Sequence, residues 1–334
     1  RKRLALGPSA RAPSAPRRWE MHRMLRRTGS TVAAVSKLTV SRQALQAWGG
    51  SGSVRLERKD AVATLTLDCP EHKNALSPKM MYELSTAVDE LERDNSLAAC
   101  VLRGAAGSFC SGASFAMFEK CASEPEKLHE IGAHMCAVMQ DATGRLLRLP
   151  LVSVTLVDGH AIGGGAELAT CTDFRVWTPS AILRFFQARM GLSPGWGGGE
   201  RLVQLVGRRR ALELLGGSRI LRADEALEIG LADRIAASDS AYDADEAVRT
   251  ALEPYTRQPY LDALRAVKRV VSLSADGVKT SQLGEAEVFN TLWGRESNLH
   301  AVRRVVQMQQ RSDDIQMIKL KRSAPDLRPS DTAT

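Results

Sequence analysis

Three successive glycines, Gly163, Gly164 and Gly165, stand where the apolar run Leu151–Val157 gives way to a stretch of helix formers, Ala166–Cys171. That placement suits the capture of negative charge. Glycines let the chain bend sharply and let a ligand approach the main chain, and the first N–H groups of a helix have no intrahelical acceptor and point outward. A second bend, Ser108-Phe109-Cys110-Ser111-Gly112-Ala113-Ser114-Phe115, follows the apolar run Ala98–Arg103. An oxyanion hole needs donors converging from separate segments, and these two bends are the candidates. Either bend alone reads equally well as a structural turn between a strand and a helix. Glu167 follows the glycines in the first helical turn, as an acid serving the site or as a carboxylate satisfied by backbone N–H groups.

Apolar periodicity outlines the elements that must carry these bends. Val54–Arg58 and Val62–Leu67 flank Lys59-Asp60 as a hairpin would, and Cys69-Pro70 ends it. Pro78–Arg93 reads as a helix capped by Ser77, with Met80, Met81, Leu84, Val88 and Leu91 at spacings of three and four. One long helix is expected over 119–149, with Leu128, Ile131, Met135, Met139 and Leu146 on one face. Strands are expected at Asp173–Trp177 and Ile182–Phe186, and helices at Arg201–Val206 and Arg209–Leu215, the second stopped by Gly216-Gly217. Ala223–Ile229 reads as a further helix, and Asp243–Leu252, Pro259–Leu273 and Ser281–Trp293 read as helices of a C-terminal lobe. The alternation of strands and helices predicts an α/β protein.

Of 334 residues, 44% are apolar and 25% charged, a globular balance able to bury one large core or two smaller ones. The formal charge of +8 is unevenly placed: residues 1–54 hold eleven Lys and Arg against the single acid Glu20, leaving the rest near −2. A body without excess basic charge argues against nucleic-acid binding. The leader, rich in Arg, Ser and Ala, has the composition of a mitochondrial presequence or a disordered extension. Residues 1–52 are therefore expected to lack a fold, with translation starting near Met21 or Met24, and 321–334 to form a flexible tail. No run of 18 apolar residues occurs, so no membrane span is expected. Six scattered cysteines without metal-type pairs read as reduced intracellular thiols and no metal site.

Together with Asn74-Ala75-Leu76 and Pro194-Gly195-Trp196-Gly197-Gly198, the two bends resemble the crotonase (enoyl-CoA hydratase/isomerase) superfamily in order and spacing, over roughly residues 53–310. The resemblance implies a crotonase fold: a ββα superhelix core, 53–245, with a C-terminal helical trimerisation lobe, 246–320. It also implies that the oxyanion of a CoA thioester is held by the N–H groups of Ala113 and Gly164. Hydratases of the family use two glutamates, because syn addition of water needs one group to take a proton and one to give it. Glu167 matches the first. Gln187 stands in place of the second, and an amide does not exchange protons near neutral pH.

Decarboxylation of a malonyl-type thioester is the reaction that survives this replacement, because the departing carbon dioxide leaves behind the electrons of the enolate. Each oxyanion donor is worth about 2.7–4 kcal/mol of barrier, so two supply about 5–8 kcal/mol. Trp196, with Phe185, Phe186 and Met190 around Gln187, is expected to wall the leaving carboxylate in an apolar pocket. Beyond the general features, Arg148–Val154, Gly163–Glu167, Met190–Gly198 and Leu292-Trp293-Gly294 resemble the acyl-CoA decarboxylases of that superfamily; this likeness implies ethylmalonyl-CoA and methylmalonyl-CoA as substrates and repair of carboxylated by-products of acyl-CoA metabolism as the role. The alternatives are a hydratase or isomerase working with Glu167 alone, and a weakly active or non-catalytic member that binds acyl-CoA or RNA. His160 reads as packing, and Ser111 and Cys110 have no evident base partner for nucleophilic work. Where the family commonly has aspartate after the first bend, Ser114 is expected to anchor the loop through its hydroxyl.

For the CoA moiety, Lys73, Ala75 and Ala113 match the family positions that meet adenine and phosphates, with Ser111, Gly112 and Gly163 along the approach to the thioester. Trp293 matches an aromatic that closes the adenine pocket, often of a neighbouring subunit, which implies a homotrimer or a dimer of trimers. No cofactor is implied beyond the CoA of the substrate, and no nucleic-acid or membrane partner. The cytosol is the expected compartment, the mitochondrial matrix its alternative.

Overall fold

A tight turn through Asp60, at φ 53°, folds strand β1 (Ser53–Lys59) antiparallel onto β2 (Val62–Asp68). In the computed structural model the described residues are 36–121, 123–258, 261–273, 289–290, 293–294, 298–300 and 302–310. The expected tail, the leader before residue 36 and most of the expected helix Ser281–Trp293 lie outside them. From β2 the sheet continues through β3 (Ala99–Gly104), β4 (Val152–Val157), β6 (Phe174–Trp177) and β9 (Arg234–Ile235), each parallel to its neighbour. A second sheet has β7 (Ile182–Arg184) between β5 (His160–Ile162), parallel to it, and β8 (Leu221–Arg222), antiparallel.

Strand β4 is buried along its whole length, as parallel strands covered on both faces are. Helix α7 (Ala241–Thr256) covers one side, packing Ala244, Ala247, Val248 and Leu252 with Val152, Val154, Leu156 and Val176. Helix α1 (Pro78–Arg93) begins where the Ser77 hydroxyl accepts the Met80 N–H, and it buries Met80, Met81, Leu84, Val88 and Leu91. Full burial of each such Leu or Met contributes about 1.5–3 kcal/mol.

Several sequence expectations shift. The single helix expected over 119–149 is two, α2 (Ala116–Lys120) and α3 (Pro125–Arg148). Pro125 has no N–H to continue a helix and disfavours helical geometry at Glu124, which sits at φ −131°, ψ 73°. The two helices expected after residue 200 form one kinked element, α5 (Gly198–Gly217), broken at Gly207 with φ 77° and ψ 160°. Residues 36–40 are helical and belong to a first unit, Arg1–Val40. Within the second unit, Ser41–Thr334, residues 41–48 are helical, Leu45 is fully buried and Arg42 pairs with Asp89 at 2.7 Å. Residues 41–52 are thus part of the packed body and not of an unfolded leader; one buried leucine and a fixed ion pair are invisible to a count of basic residues.

Candidate active site

Because β3 and β4 are parallel neighbours, the segments that follow them leave the same edge of the sheet, the usual place for a ligand in such a fold. A single bridge then ties the two bends together. Cys110 N–H donates to His160 O at 2.8 Å and Ile162 N–H donates to Cys110 O at 2.9 Å. Gly112, at φ 100°, lies so close to the second bend that a Cβ there would stand 2.9 Å from Ile162 O and 3.2 Å from the Gly164 nitrogen. A Cβ on Gly165 would collide with Cys110 O. Only glycine allows this contact. Gly163 then leads into the short helix α4 (Gly164–Leu168). The N–H groups of Ala113 and Gly164 donate to no acceptor among the described residues, and both residues line one cavity.

That cavity, about 230 Å³, is walled by Phe118, Met135, Phe186, Met190, Trp196 and Trp293. Trp196 is buried, its indole laid on Gly164 so closely that a Cβ at 164 would collide with the ring. Phe185 is buried outside the lining, while Phe186 reaches it. Trp293 packs within its own chain: its ring is 5.0 Å from Phe118 and 5.1 Å from Phe289, its Nε1–H donates to Leu128 O, and it fills the notch left by Gly132. This indole is therefore a wall of the apolar cavity.

Glu167 projects from α4 with 2% of its surface exposed. Its Oε1 accepts from Gln187 Nε2 at 2.9 Å and Gly195 N at 3.3 Å, and its Oε2 from Trp196 N at 2.7 Å and Gly198 N at 3.1 Å. Each of these four partners donates, an arrangement that suits the carboxylate. The Gln187 amide faces Glu167 through its NH₂; its Oε1 is buried and without a hydrogen bond among the described residues. Glu167 thus holds the turn 194–198, in keeping with the reading of a carboxylate satisfied by backbone N–H groups.

Ser111, Gly112, Ala113, Gly163, Gly164, Glu167, Gln187, Trp196 and Trp293 share the cavity wall, whereas Lys73 and Ala75 stand outside it. Lys73 is exposed beside the first bend, where its carbonyl accepts the Ser111 N–H at 3.0 Å. Ser111 donates its hydroxyl to His72 O at 2.8 Å, and burial pushes the Cys110 thiol up to about 12, so neither is poised as a nucleophile. His160 is half-buried outside the cavity, its pKa lowered by burial and then by the charge of Lys73. The Ser114 anchor is corrected: its hydroxyl makes no hydrogen bond among the described residues, and the loop is held by main chain, with Leu76 N donating to Gly112 O at 2.7 Å and Ser114 N to Leu76 O at 2.9 Å.

Two supports escaped the sequence. Asn74, buried and at φ 56°, accepts Cys69 N at 2.9 Å and donates to Ala105 O at 2.8 Å and Ser108 O at 2.6 Å, tying the hairpin's end to the loop after β3. Its place in the Asn-Ala-Leu segment was the available signal. Arg201 is buried under α4, and nothing in the sequence around it singled it out. Among the described residues no cluster of His, Cys, Asp or Glu could hold a metal ion, and no helix is long and apolar enough to cross a membrane.

Known proteins resemble this chain in sequence and in fold. A Xenopus laevis protein named ethylmalonyl-CoA decarboxylase is 38% identical over 286 residues, 85% of this chain and 93% of the relative. Its Danio rerio namesake is 40% identical over 271 residues, 78% of this chain and 86% of the relative. Among solved structures, a putative enoyl-CoA hydratase of Thermobifida fusca YX in complex with acetoacetyl-CoA has a TM-score of 0.59 at 26% identity, covering 78% of this chain and 95% of that one. An enoyl-CoA hydratase of Bacillus halodurans, at 24% identity, matches in fold with a TM-score of 0.68, over 75% of this chain and 99% of its own. Residues 57–297 match the enoyl-CoA hydratase/isomerase family, and the chain belongs to that family.

Proposed function

We propose that this chain is a carbon–carbon lyase that decarboxylates ethylmalonyl-CoA, and methylmalonyl-CoA, to the corresponding acyl-CoA. The observation that carries the reading is the filled valence of Glu167, whose oxygens accept from Gln187, Gly195, Trp196 and Gly198. Hydration requires a base and an acid that face water, and neither a saturated carboxylate nor an amide serves. Decarboxylation requires neither to break its bond. The electron pair of the Cα–carboxylate bond moves into the thioester, carbon dioxide leaves, and the enolate oxygen is met by the N–H groups of Ala113 and Gly164. Cα then takes one proton from water, leaving hydroxide, to give the acyl-CoA. The apolar wall of Phe186, Met190 and Trp196 favours the step, since carboxylate charge disperses as the bond breaks.

The names of the relatives at 38% and 40% identity support the same reaction. A structural neighbour from Thermobifida fusca YX in complex with CoA supports an acyl-CoA as ligand, with Lys73 facing phosphate and Ala75 bordering adenine. The assembly proposed is a homotrimer or a dimer of trimers, checked by light scattering, and the compartment the cytosol, checked by fractionation. Supplied separately with ethylmalonyl-CoA and crotonyl-CoA, the purified protein is expected to make butyryl-CoA and carbon dioxide from the first and to leave the second untouched. Hydration of crotonyl-CoA without butyryl-CoA formation would overturn the reading.

A further inference from the structure

Arg201 lies 3% exposed, and its guanidinium is met by carbonyl and hydroxyl oxygens. A buried guanidinium is costly unless its donors are used. Here four hydrogen bonds form a closed bracket. Nη2 donates to Glu167 O at 3.2 Å and to Trp196 O at 2.9 Å, Nε donates to Thr170 Oγ1 at 3.0 Å, and Nη1 donates to Thr143 Oγ1 at 3.1 Å. Each threonine donates its own hydroxyl proton to the same pair of carbonyls: Thr170 to Glu167 O at 2.7 Å, Thr143 to Trp196 O at 2.9 Å.

The two carbonyls belong to the two structures that meet at Gly164. Glu167 O lies in the last turn of α4, a five-residue helix whose first N–H is that of Gly164. Trp196 carries the indole pressed on Gly164 from the other side. Residue 196 is gripped at both ends, its N–H by the Glu167 carboxylate and its C=O by the Arg201 guanidinium, so the two opposite charges are joined through one residue and compensate in the interior.

We propose that Arg201 is a positioning residue for the reaction, fixing the direction of the Gly164 N–H by locking α4 and Trp196 to a single guanidinium. This rests on the reading of Ala113 and Gly164 as donors to the enolate. Its effect is confined to the charged oxygen of the transition state, because a neutral thioester carbonyl gains much less from donor alignment than an enolate does.

The test compares Arg201→Met and Arg201→Lys with the unaltered chain in three measurements: steady-state turnover of ethylmalonyl-CoA, affinity for butyryl-CoA, and affinity for a nitronate analogue of the acyl-CoA, whose oxygens carry the negative charge of an enolate. For Arg201→Met we expect kcat to fall about 100-fold with KM within about threefold, and nitronate affinity to fall far more than butyryl-CoA affinity. Arg201→Lys, which keeps the charge but loses the planar fork, is expected to recover about tenfold of that loss. Wild-type kcat in folded Arg201→Met, or equal losses for nitronate and butyryl-CoA, overturns the proposal. If Arg201→Met does not fold, Arg201→Lys decides, and wild-type turnover there overturns it. Absence of butyryl-CoA formation by the unaltered chain would instead sink the decarboxylase reading, while the contrast between nitronate and butyryl-CoA binding still reports on Arg201.

Discussion

Gln187 donates its amide N–H to Glu167 at 2.9 Å, so the position at which a hydratase of this family keeps its second acid is used here to hold the first in place. Replacing Gln187 by glutamate sets two carboxyl groups within hydrogen-bonding range, and they must share a proton to coexist. Decarboxylation by Gln187→Glu is expected to drop about tenfold and to fall further as pH rises from about 6 to about 9, as the shared proton is lost and repulsion opens the turn. Comparing its pH–rate profile with that of the unaltered chain checks this; superimposable profiles would contradict it.

Glu167→Gln keeps the size of the side chain but presents an NH₂ group to backbone N–H donors of Gly195, Trp196 and Gly198. At least one buried donor is left unpaired, at a cost of about 1–3 kcal/mol. Unfolding by denaturant should show that loss, and turnover should fall about 100-fold as Trp196 leaves Gly164, with affinity for free CoA within about twofold. Unchanged turnover would refute any part for Glu167 in the reaction.

Asn74→Ala removes three hydrogen bonds at once, buried ones with Cys69 and Ser108 and a partly buried one with Ala105. The stranded Cys69 N–H and the two carbonyls make a loss of about 2–4 kcal/mol the expected result in equilibrium unfolding. Because the loop that follows carries Ala113, kcat should fall with stability. A variant as stable as the parent would show that the loop is held by other means.

Burial sets the thiol chemistry. Cys100 and Cys110 are pushed up to about 12 and Cys171 to about 11, first by removal from water. In the unfolded chain these thiols ionise near 9, so between that value and the folded one the unfolded state has lost a proton that the native state retains. Stability therefore falls as pH rises through this window, by about 1.4 kcal/mol per pH unit for each thiol. Denaturant midpoints at about pH 8 and about pH 10.5 measure it, and a thiol reagent at about pH 8 should label the native chain slowly and the unfolded chain fully.

The glycine bends, the two apolar runs before them, the Ser77 cap and the amide at Gln187 were all readable from the chain, because backbone conformation, side-chain periodicity and proton chemistry are local properties of residue type. Helix α1 matches its expected span for that reason. What local rules could not supply is contact across long separations. Arg201 meets Thr143 across 58 residues and Asn74 meets Ser108 across 34, and neither partner can be inferred from spacing. The same holds for Glu167. Its type and position beside the glycines were written in the sequence, but its saturation by the turn 195–198 exists only once β3 and β4 lie side by side and α5 returns beneath α4. Residue identity determined which groups can bear charge and which bends can accept it; packing decided which of those charges remain free to react.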